Sequence, residues 1–231
     1  MNYAIILSGG IGSRFGTKMP KQYLTVKDKP VLIYTLQKFS HIREINCIVI
    51  VAAQQWQDSI KKWINEFGIK ISYQFAEPGS TRQESILNGL KECNNSEDDN
   101  KVIIHDAVRP LVSCEIIKKC LDVLENADAV MPVIPVQDTI YISNDKRSVT
   151  GLLNRDTLFA GQAPEGYKLK KYLEINNKLN KEDMSKIRGS SELAFLGGLK
   201  VQLIDGDIAN FKITTPYDLE RFEQIIEEGR L

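Results

Sequence analysis

No stretch of this 231-residue chain stays apolar for the ~18–20 residues that crossing a bilayer takes. Met1 to Ser8 lack the basic segment and the longer apolar run of a secretion signal, so a cytoplasmic protein is expected. No charge sign is in excess. Lys+Arg and Asp+Glu number 30 each, which leaves no global basic field to hold a nucleic acid backbone through counterion release. A local basic site for a small anion stays open. Histidine is scarce, with His41 and His105 alone, and Cys47, Cys93, Cys114 and Cys120 form no CxxC pair. Structural zinc and a disulfide scaffold are therefore not expected; the cysteines read as free thiols. Fixed-period repeats and low-complexity linkers are also missing, which argues for one domain over residues 1–231. What is present is ordinary globular composition, 42% hydrophobic and 26% charged. Such a chain can bury roughly 70–75% of its unfolded surface.

Short apolar runs alternate with helical patterns along the first half. Tyr3–Leu7, Cys47–Val51, Ile71–Phe75 and Val102–His105 read as strands. Between them, Pro30–Phe39 opens with a proline at a helix start. Trp56, Ile60, Trp63, Ile64 and Phe67 mark one helical face; Ile86, Leu90 and Cys93 mark another, and Ile116, Ile117, Cys120, Leu121 and Leu124 a third. Uninterrupted apolar strands alternating with helices predict a doubly wound, mainly parallel, Rossmann-like α/β sheet covered on both faces. After Ala129 the pattern changes. Val130–Val136 carries Pro132 and Pro135, and Thr139–Ile142 and Ser148–Leu153 flank the polar turn 144–147. This predicts a protruding β-arm over 137–155. A helix over Tyr167–Leu179, a strand at Lys200–Ile204, a short strand at Phe211–Ile213 and a last helix at Tyr217–Glu228 complete the reading.

Four segments carry candidate chemistry. The first is Ser8-Gly9-Gly10-Ile11-Gly12-Ser13-Arg14, directly after the first strand, with Lys21 shortly beyond. Glycines there let backbone N–H groups approach an anion, and the first strand–helix loop of such a sheet faces the ligand crevice. It is not a P-loop, and Phe15 stands where a dinucleotide fingerprint needs its third glycine. Two cations beside a glycine loop suit a triphosphate; a tight turn with solvated charges is the plainer alternative. The second segment is Pro78-Gly79-Ser80-Thr81-Arg82-Gln83-Glu84-Ser85, where Ser80 or Thr81 can cap a helix. Arg82 and Ser85 are placed to reach a bound base or its phosphates. The third is His105-Asp106-Ala107-Val108-Arg109-Pro110. A carboxylate ending a parallel strand points into the crevice, and Asp106 suits Mg²⁺ held by one carboxylate plus phosphates. Arg109 is expected to pair with an acid or brace the loop, and His105 to be structural. The fourth is Asn210-Phe211-Lys212-Ile213-Thr214-Thr215-Pro216-Tyr217-Asp218, a helix cap preceded by Lys212.

Taken in order, these segments, with Met19-Pro20-Lys21-Gln22-Tyr23-Leu24, resemble the cytidylyltransferases. That family includes methylerythritol-phosphate cytidylyltransferase of isoprenoid synthesis and ribitol-5-phosphate cytidylyltransferase of teichoic acid and capsule synthesis. The resemblance covers nearly the whole chain. It implies a nucleotidyltransferase in which a sugar-alcohol phosphate attacks the α-phosphate of CTP and pyrophosphate leaves, with Mg²⁺ as cofactor. By matched position, Arg14 and Lys21 bind the CTP phosphates and Lys212 neutralises the α-phosphate. Asp106 positions Mg²⁺ or substrate hydroxyls. Ser8, Gly9, Gly10 and Gly12 contact the nucleotide, and Gly79, Arg82 and Ser85 seat cytosine and ribose. The resemblance also implies a homodimer through the 137–155 arm, with Arg155 reaching the acceptor phosphate of the neighbouring site.

The first loop, the Met-Pro-Lys-Gln run, Val108 and Ala160-Gly161-Gln162 lean toward the ribitol-phosphate branch. Methylerythritol phosphate is the alternative acceptor. Two departures from the family fall on the acceptor side. Gln162-Ala163-Pro164-Glu165 replaces a Gln-Thr-Pro-Gln run, removing a hydroxyl and adding a negative charge. Ile187-Arg188-Gly189-Ser190-Ser191-Glu192 replaces a Thr-Asp segment. A CTP-binding homologue without turnover and a nucleotide-sugar pyrophosphorylase are the competing readings.

Overall fold

The computed structural model describes residues 1–10, 19–93 and 100–230. Gly12 and Arg14 lie outside the described residues. The chain opens with strand β1 (Asn2–Leu7), a 3-10 turn at Lys21–Tyr23, and a small hairpin of β2 (Thr25–Val26) and β3 (Lys29–Pro30). Helix α1 (Val31–Ser40), β4 (Cys47–Val51), α2 (Gln54–Glu66), β5 (Ser72–Ala76), α3 (Arg82–Lys91), β6 (Lys101–Asp106) and α4 (Cys114–Val123) then alternate. The second half runs β7 (Ala129–Pro135), β8 (Tyr141–Ile142), β9 (Gly151–Leu152), β10 (Phe159–Gly161) and β11 (Glu165–Lys168). It ends with α5 (Leu169–Asn177), α6 (Lys181–Lys186), α7 (Ser190–Leu196), β12 (Val201–Asp205) and α8 (Pro216–Glu227).

The main sheet has the order β10-β7-β11-β6-β1-β4-β5, with β12 also on β7. Strands β6, β1, β4 and β5 are parallel neighbours, as β12 is to β7, while β10 and β11 run antiparallel. The doubly wound, mainly parallel expectation therefore holds.

Strand residues alternate between the two faces, as a period of two requires. Ala4, Ile6, Ile48, Ile50 and Ile103 pack against Leu32, Leu36 and Phe39 of α1, Ile60 and Ile64 of α2, and Ile117 and Leu121 of α4. Tyr3, Ile5, Val49, Val51 and Ile104 face Ile86 and Leu90 of α3 and Tyr172 and Leu173 of α5. Each such fully buried side chain stabilises the fold by roughly 1.5–3 kcal/mol. Helix α3 lies so close that a Cβ on Gly89 would sit 2.8 Å from Ile5 Cγ2. Helix α8 closes a third cluster, with Phe222 edge-on to Tyr34 at 5.1 Å beside Ile213 and Val108. No helix of the described residues is long and apolar enough to cross a membrane.

Two expectations need correction. Tyr167 and Lys168 are strand, not helix: β11 pairs with β6 and β7, and the helix begins at Leu169. Fully buried Tyr167 needs a central strand position that its sequence neighbourhood does not reveal. Phe211–Ile213 forms no strand; Ile213 N–H donates to the Val108 carbonyl at 2.9 Å, and its carbonyl accepts from a side chain rather than from a strand partner. The expected 137–155 arm contains a hairpin, β8 on β9, whose residues 141–150 are all exposed.

Candidate active site

Asp106 ends β6 and Ser8 follows β1, so both sit at the carboxyl edge of the parallel strands, where ligands bind in open α/β sheets. Ser8 is buried, and its hydroxyl lies 3.1 Å from the Tyr23 hydroxyl. Its carbonyl accepts from Gln22 Nε2 at 2.6 Å, and the Gly10 carbonyl accepts from the same amide at 2.8 Å. The Met-Pro-Lys-Gln run thus props up the start of the glycine loop. A Cβ on Gly9 would lie 2.3 Å from Pro78 Cβ, so only glycine lets this loop meet the second loop. In that second loop, Gly79 N–H donates to Ser85 Oγ at 3.0 Å and Ser85 Oγ donates to the Thr81 carbonyl at 2.9 Å. Thr81 caps α3 by accepting from Glu84 N–H at 3.0 Å.

Three cations gather on Asp106. Lys212 Nζ lies 3.0 Å from Oδ2, Arg109 Nε 3.5 Å from Oδ2, and Arg82 3.7 Å from Oδ1. Burial pushes the Asp106 carboxyl up, but Lys212, Arg82 and Arg109 outweigh it and hold the group well below the usual carboxylate range. Arg82 responds in kind: burial opposes its charge, and Asp106 and Glu165 more than restore it.

Lys212 reaches this place because its segment is tied down on several sides. Asn210 Nδ2 donates to the Ala163 carbonyl at 2.7 Å, and Arg109 Nη1 donates to the Asn210 carbonyl at 2.5 Å. Gln162 clasps the Asp207 backbone through both its amide atoms, at 2.8 and 3.0 Å. From the far end of the sequence, Lys21 Nζ donates to the Ile213 carbonyl at 2.7 Å. Lys21, Arg82, Arg109, Asp106 and Lys212 are thereby brought together.

His105 takes no part in that gathering. Its Nε2 lies 3.1 Å from the Arg109 carbonyl and its ring packs on Phe39 at 5.1 Å. Burial lowers its pKa to about 4, so it stays neutral at pH 7. Arg155 also stands apart. It is exposed in a 3-10 turn at Arg155–Thr157, donates to the Gln137 carbonyl at 2.9 Å, and is not among the lining residues of the cavity beside Asp106.

That cavity is about 660 Å³. Arg82, Asp106, Arg109 and Lys212 form its charged end; Met131, Phe195, Val201 and Leu203 form an apolar wall. Glu165 also lines it, in a setting that its sequence neighbourhood does not reveal. Its carboxylate is buried and accepts from Ser190 Oγ at 2.6 Å, Ser191 N–H at 2.8 Å, Ser191 Oγ and the Tyr167 hydroxyl at 2.8 Å, with Arg82 at 3.5 Å. The negative charge that the sequence adds is therefore answered from within the protein. Behind it, Tyr167 stacks on Tyr172 at 3.9 Å, and Gln83 Nε2 donates to Asn176 Oδ1 at 2.5 Å.

Among the described residues no group of three or more His, Cys, Asp or Glu side chains gathers as a metal would require. Asp106 fits the sparser pattern of one ionised carboxylate completed by substrate phosphates, because among the described residues only the Lys212 side chain approaches its carboxylate as closely as 3.0 Å. Taken together, a carboxylate ringed by cations and a neutral histidine turned away suit chemistry on phosphates.

A family model described as IspD: 2-C-methyl-D-erythritol 4-phosphate cytidylyltransferase matches residues 2–228. The crystal structure of 4-diphosphocytidyl-2C-methyl-D-erythritol synthase from Anaerococcus prevotii is similar, with a TM-score of 0.83 and 26% identity over 98% of this chain and 96% of that one. The 2-C-methyl-D-erythritol 4-phosphate cytidylyltransferase of Francisella tularensis shares the fold, with a TM-score of 0.81 and 24% identity over 96% and 98%. So does the enzyme of that name from Thermus thermophilus, at 0.75 and 23% over 96% and 98%.

Proposed function

Because the chain belongs to the 2-C-methyl-D-erythritol 4-phosphate cytidylyltransferase family, and so is a nucleotidyltransferase, we propose that it transfers CMP from CTP to 2-C-methyl-D-erythritol 4-phosphate. An oxygen of the acceptor phosphate attacks the α-phosphorus of CTP. A new P–O bond forms, the bond from the α-phosphorus to the bridging β-oxygen breaks, and pyrophosphate leaves with the electron pair. The acceptor phosphate is already ionised near neutral pH, so no general base is needed. The observation that carries this reading is the meeting of Arg82, Arg109 and Lys212 around Asp106 at the strand ends, with Lys21 bonded to the Ile213 carbonyl next to Lys212.

In this scheme Lys212 stabilises the charge that builds on the α-phosphate, and Lys21 holds the CTP phosphates together with Arg14. Ser8, Gly9, Gly10 and Gly12 contact the nucleotide, with Gly79, Arg82 and Ser85 forming the second wall. Asp106 keeps Arg82, Arg109 and Lys212 in place, and would hold Mg²⁺ jointly with the CTP phosphates. The metal, when bound, neutralises phosphate charge. Catalysis is then positioning and electrostatics. Residues 1–231 act as one unit. The 137–155 hairpin, with Tyr141, Ile142, Leu152 and Leu153 exposed, docks on a second copy and carries Arg155 to its acceptor.

Ribitol 5-phosphate is the second reading of the acceptor. The lean of the first loop and of Val108 toward that branch finds no support in the family model or in the three structures described above, which carry the methylerythritol name. The altered acceptor wall at Ala163, Glu165 and Arg188 departs from both branches and keeps a related polyol phosphate as a further acceptor to test.

Pyrophosphate release from CTP and Mg²⁺ with each of the two acceptors tests the proposal, with UTP, GTP and ATP as controls and EDTA to withdraw the metal. Turnover with CTP and methylerythritol phosphate is expected, and loss of Lys212 as alanine should slow it about 10²–10³-fold. CTP binding without pyrophosphate release from any acceptor would favour a binding protein; turnover with ribitol 5-phosphate alone would favour the second reading.

A further inference from the structure

One cation of the cavity is left without a task by the scheme above. Arg188 lines it together with Arg109 and Lys212, yet its guanidinium has no acid partner among the described residues. Arg82, Arg109 and Lys212, by contrast, are all engaged with Asp106.

The backbone that carries Arg188 is fixed rather than loose. Arg188 N–H and Gly189 N–H donate to Glu192 Oε2 at 2.7 and 3.3 Å. Directly after them, Ser190 Oγ and Ser191 N–H donate to Glu165 at 2.6 and 2.8 Å. Glu165 belongs to β11 and pairs in register with Ile104 of β6, two residues before Asp106. A buried carboxylate on the central sheet thus anchors the segment that presents an exposed, unpaired guanidinium to the cavity. A planar guanidinium fork matches two oxygens of a phosphate, and its charge is fixed at any working pH.

We propose that Arg188 is an acceptor-specificity residue of this chain. Its guanidinium binds two non-attacking oxygens of the phosphate on a phosphorylated polyol, leaving the third free to face Lys212 and the α-phosphorus. Glu165 acts through it as a positioning residue. This rests on the transfer reaction proposed above and adds a cation supplied by the same chain as the site.

The test is Arg188→Ala and Arg188→Lys, with KM measured separately for methylerythritol phosphate, ribitol 5-phosphate and CTP. Acceptor KM should rise roughly 10- to 100-fold in the alanine variant and less in the lysine variant, with CTP KM unchanged. Calorimetric titration of each polyol phosphate and of inorganic phosphate gives a readout that does not depend on turnover. Binding should weaken by the same factor. The unfolding midpoint should stay that of the parent, because the side chain is exposed. If the parent turns over no acceptor, the transfer reading fails, while loss of phosphate binding in Arg188→Ala still supports this one. Equal phosphate affinity in parent and variant, or a rise in CTP KM of the same size, overturns it.

Discussion

Removing the Glu165 carboxylate is the sharpest probe of how this site is built. In Glu165→Ala, Ser191 N–H and Ser190 Oγ lose their acceptor and Arg82 loses one of its two acids. The Tyr167 hydroxyl and Ser191 Oγ can still bond each other at 3.0 Å. Breaking a buried ionic pair costs about 3–5 kcal/mol, and a hydrogen bond to a charged group contributes about 1.5–3 kcal/mol. Arg82 keeps Asp106, and the cavity admits water, so the lower figure applies: about 3 kcal/mol. For a chain of this length that lowers Tm by roughly 6–12 °C. Glu165→Gln keeps the shape and one acceptor and should lose about half as much. Thermal unfolding followed by circular dichroism measures both. A double-mutant cycle with Arg82→Gln should return a coupling of about 1–2 kcal/mol. A Glu165→Ala protein melting within roughly 2 °C of the parent, with no coupling to Arg82, would refute the account of a buried carboxylate holding two elements together.

Other outcomes follow from the cap of α8 and from the thiols. Asp218 accepts from the N–H and hydroxyl groups of Thr214 and Thr215, at 2.8–2.9 Å. Burial opposes its charge, but those donors prevail and lower its pKa, so its contribution is full above about pH 4 and fades as the pH falls below that. Urea unfolding at pH 7 and pH 3 should show Asp218→Asn losing stability at the higher pH and much less at the lower; an equal loss at both would contradict this. Removing the Thr215 hydroxyl as alanine should cost about 1 kcal/mol. Burial pushes the thiols of Cys93 and Cys120 up to about 12 and raises that of Cys47, while Cys114 is half-buried. Ellman's reagent at pH 8 should therefore label at most one thiol quickly in the native protein, and rapid reaction of two or more would count against the burial described.

The first half of the fold was legible in the sequence because strands buried on both faces must be apolar throughout, as Cys47–Val51 and Val102–His105 are. The second half was not. Tyr167 sits in a strand only because β6 and β7 flank it, and a short run with Lys168 and Lys170 carries no sign of that. Asp106 stood out by its strand-end position and Arg109 as a partner for an acid, while Lys212 stood out only through the matched motifs; the structure brings the three side chains together. The Glu165 network was not: its partners Arg82, Ser190 and Ser191 come from α3 and α7, and no local spacing links them to β11. Its charge read as an intrusion on the acceptor side, whereas the fold turns it into an anchor.

The bond between Lys21 and the Ile213 carbonyl spans 192 positions of the chain and ties the segment after the first strand to the loop bearing Lys212. In the transfer scheme proposed above, a triphosphate that draws Lys21 toward itself shares or breaks that bond to the loop bearing Lys212. Whatever this does to the grip on the second substrate, thermodynamic reciprocity requires the second substrate to do to the first by the same factor. Titrating each ligand in the presence of the other would measure that factor, and two independent affinities would mean that the tie transmits nothing.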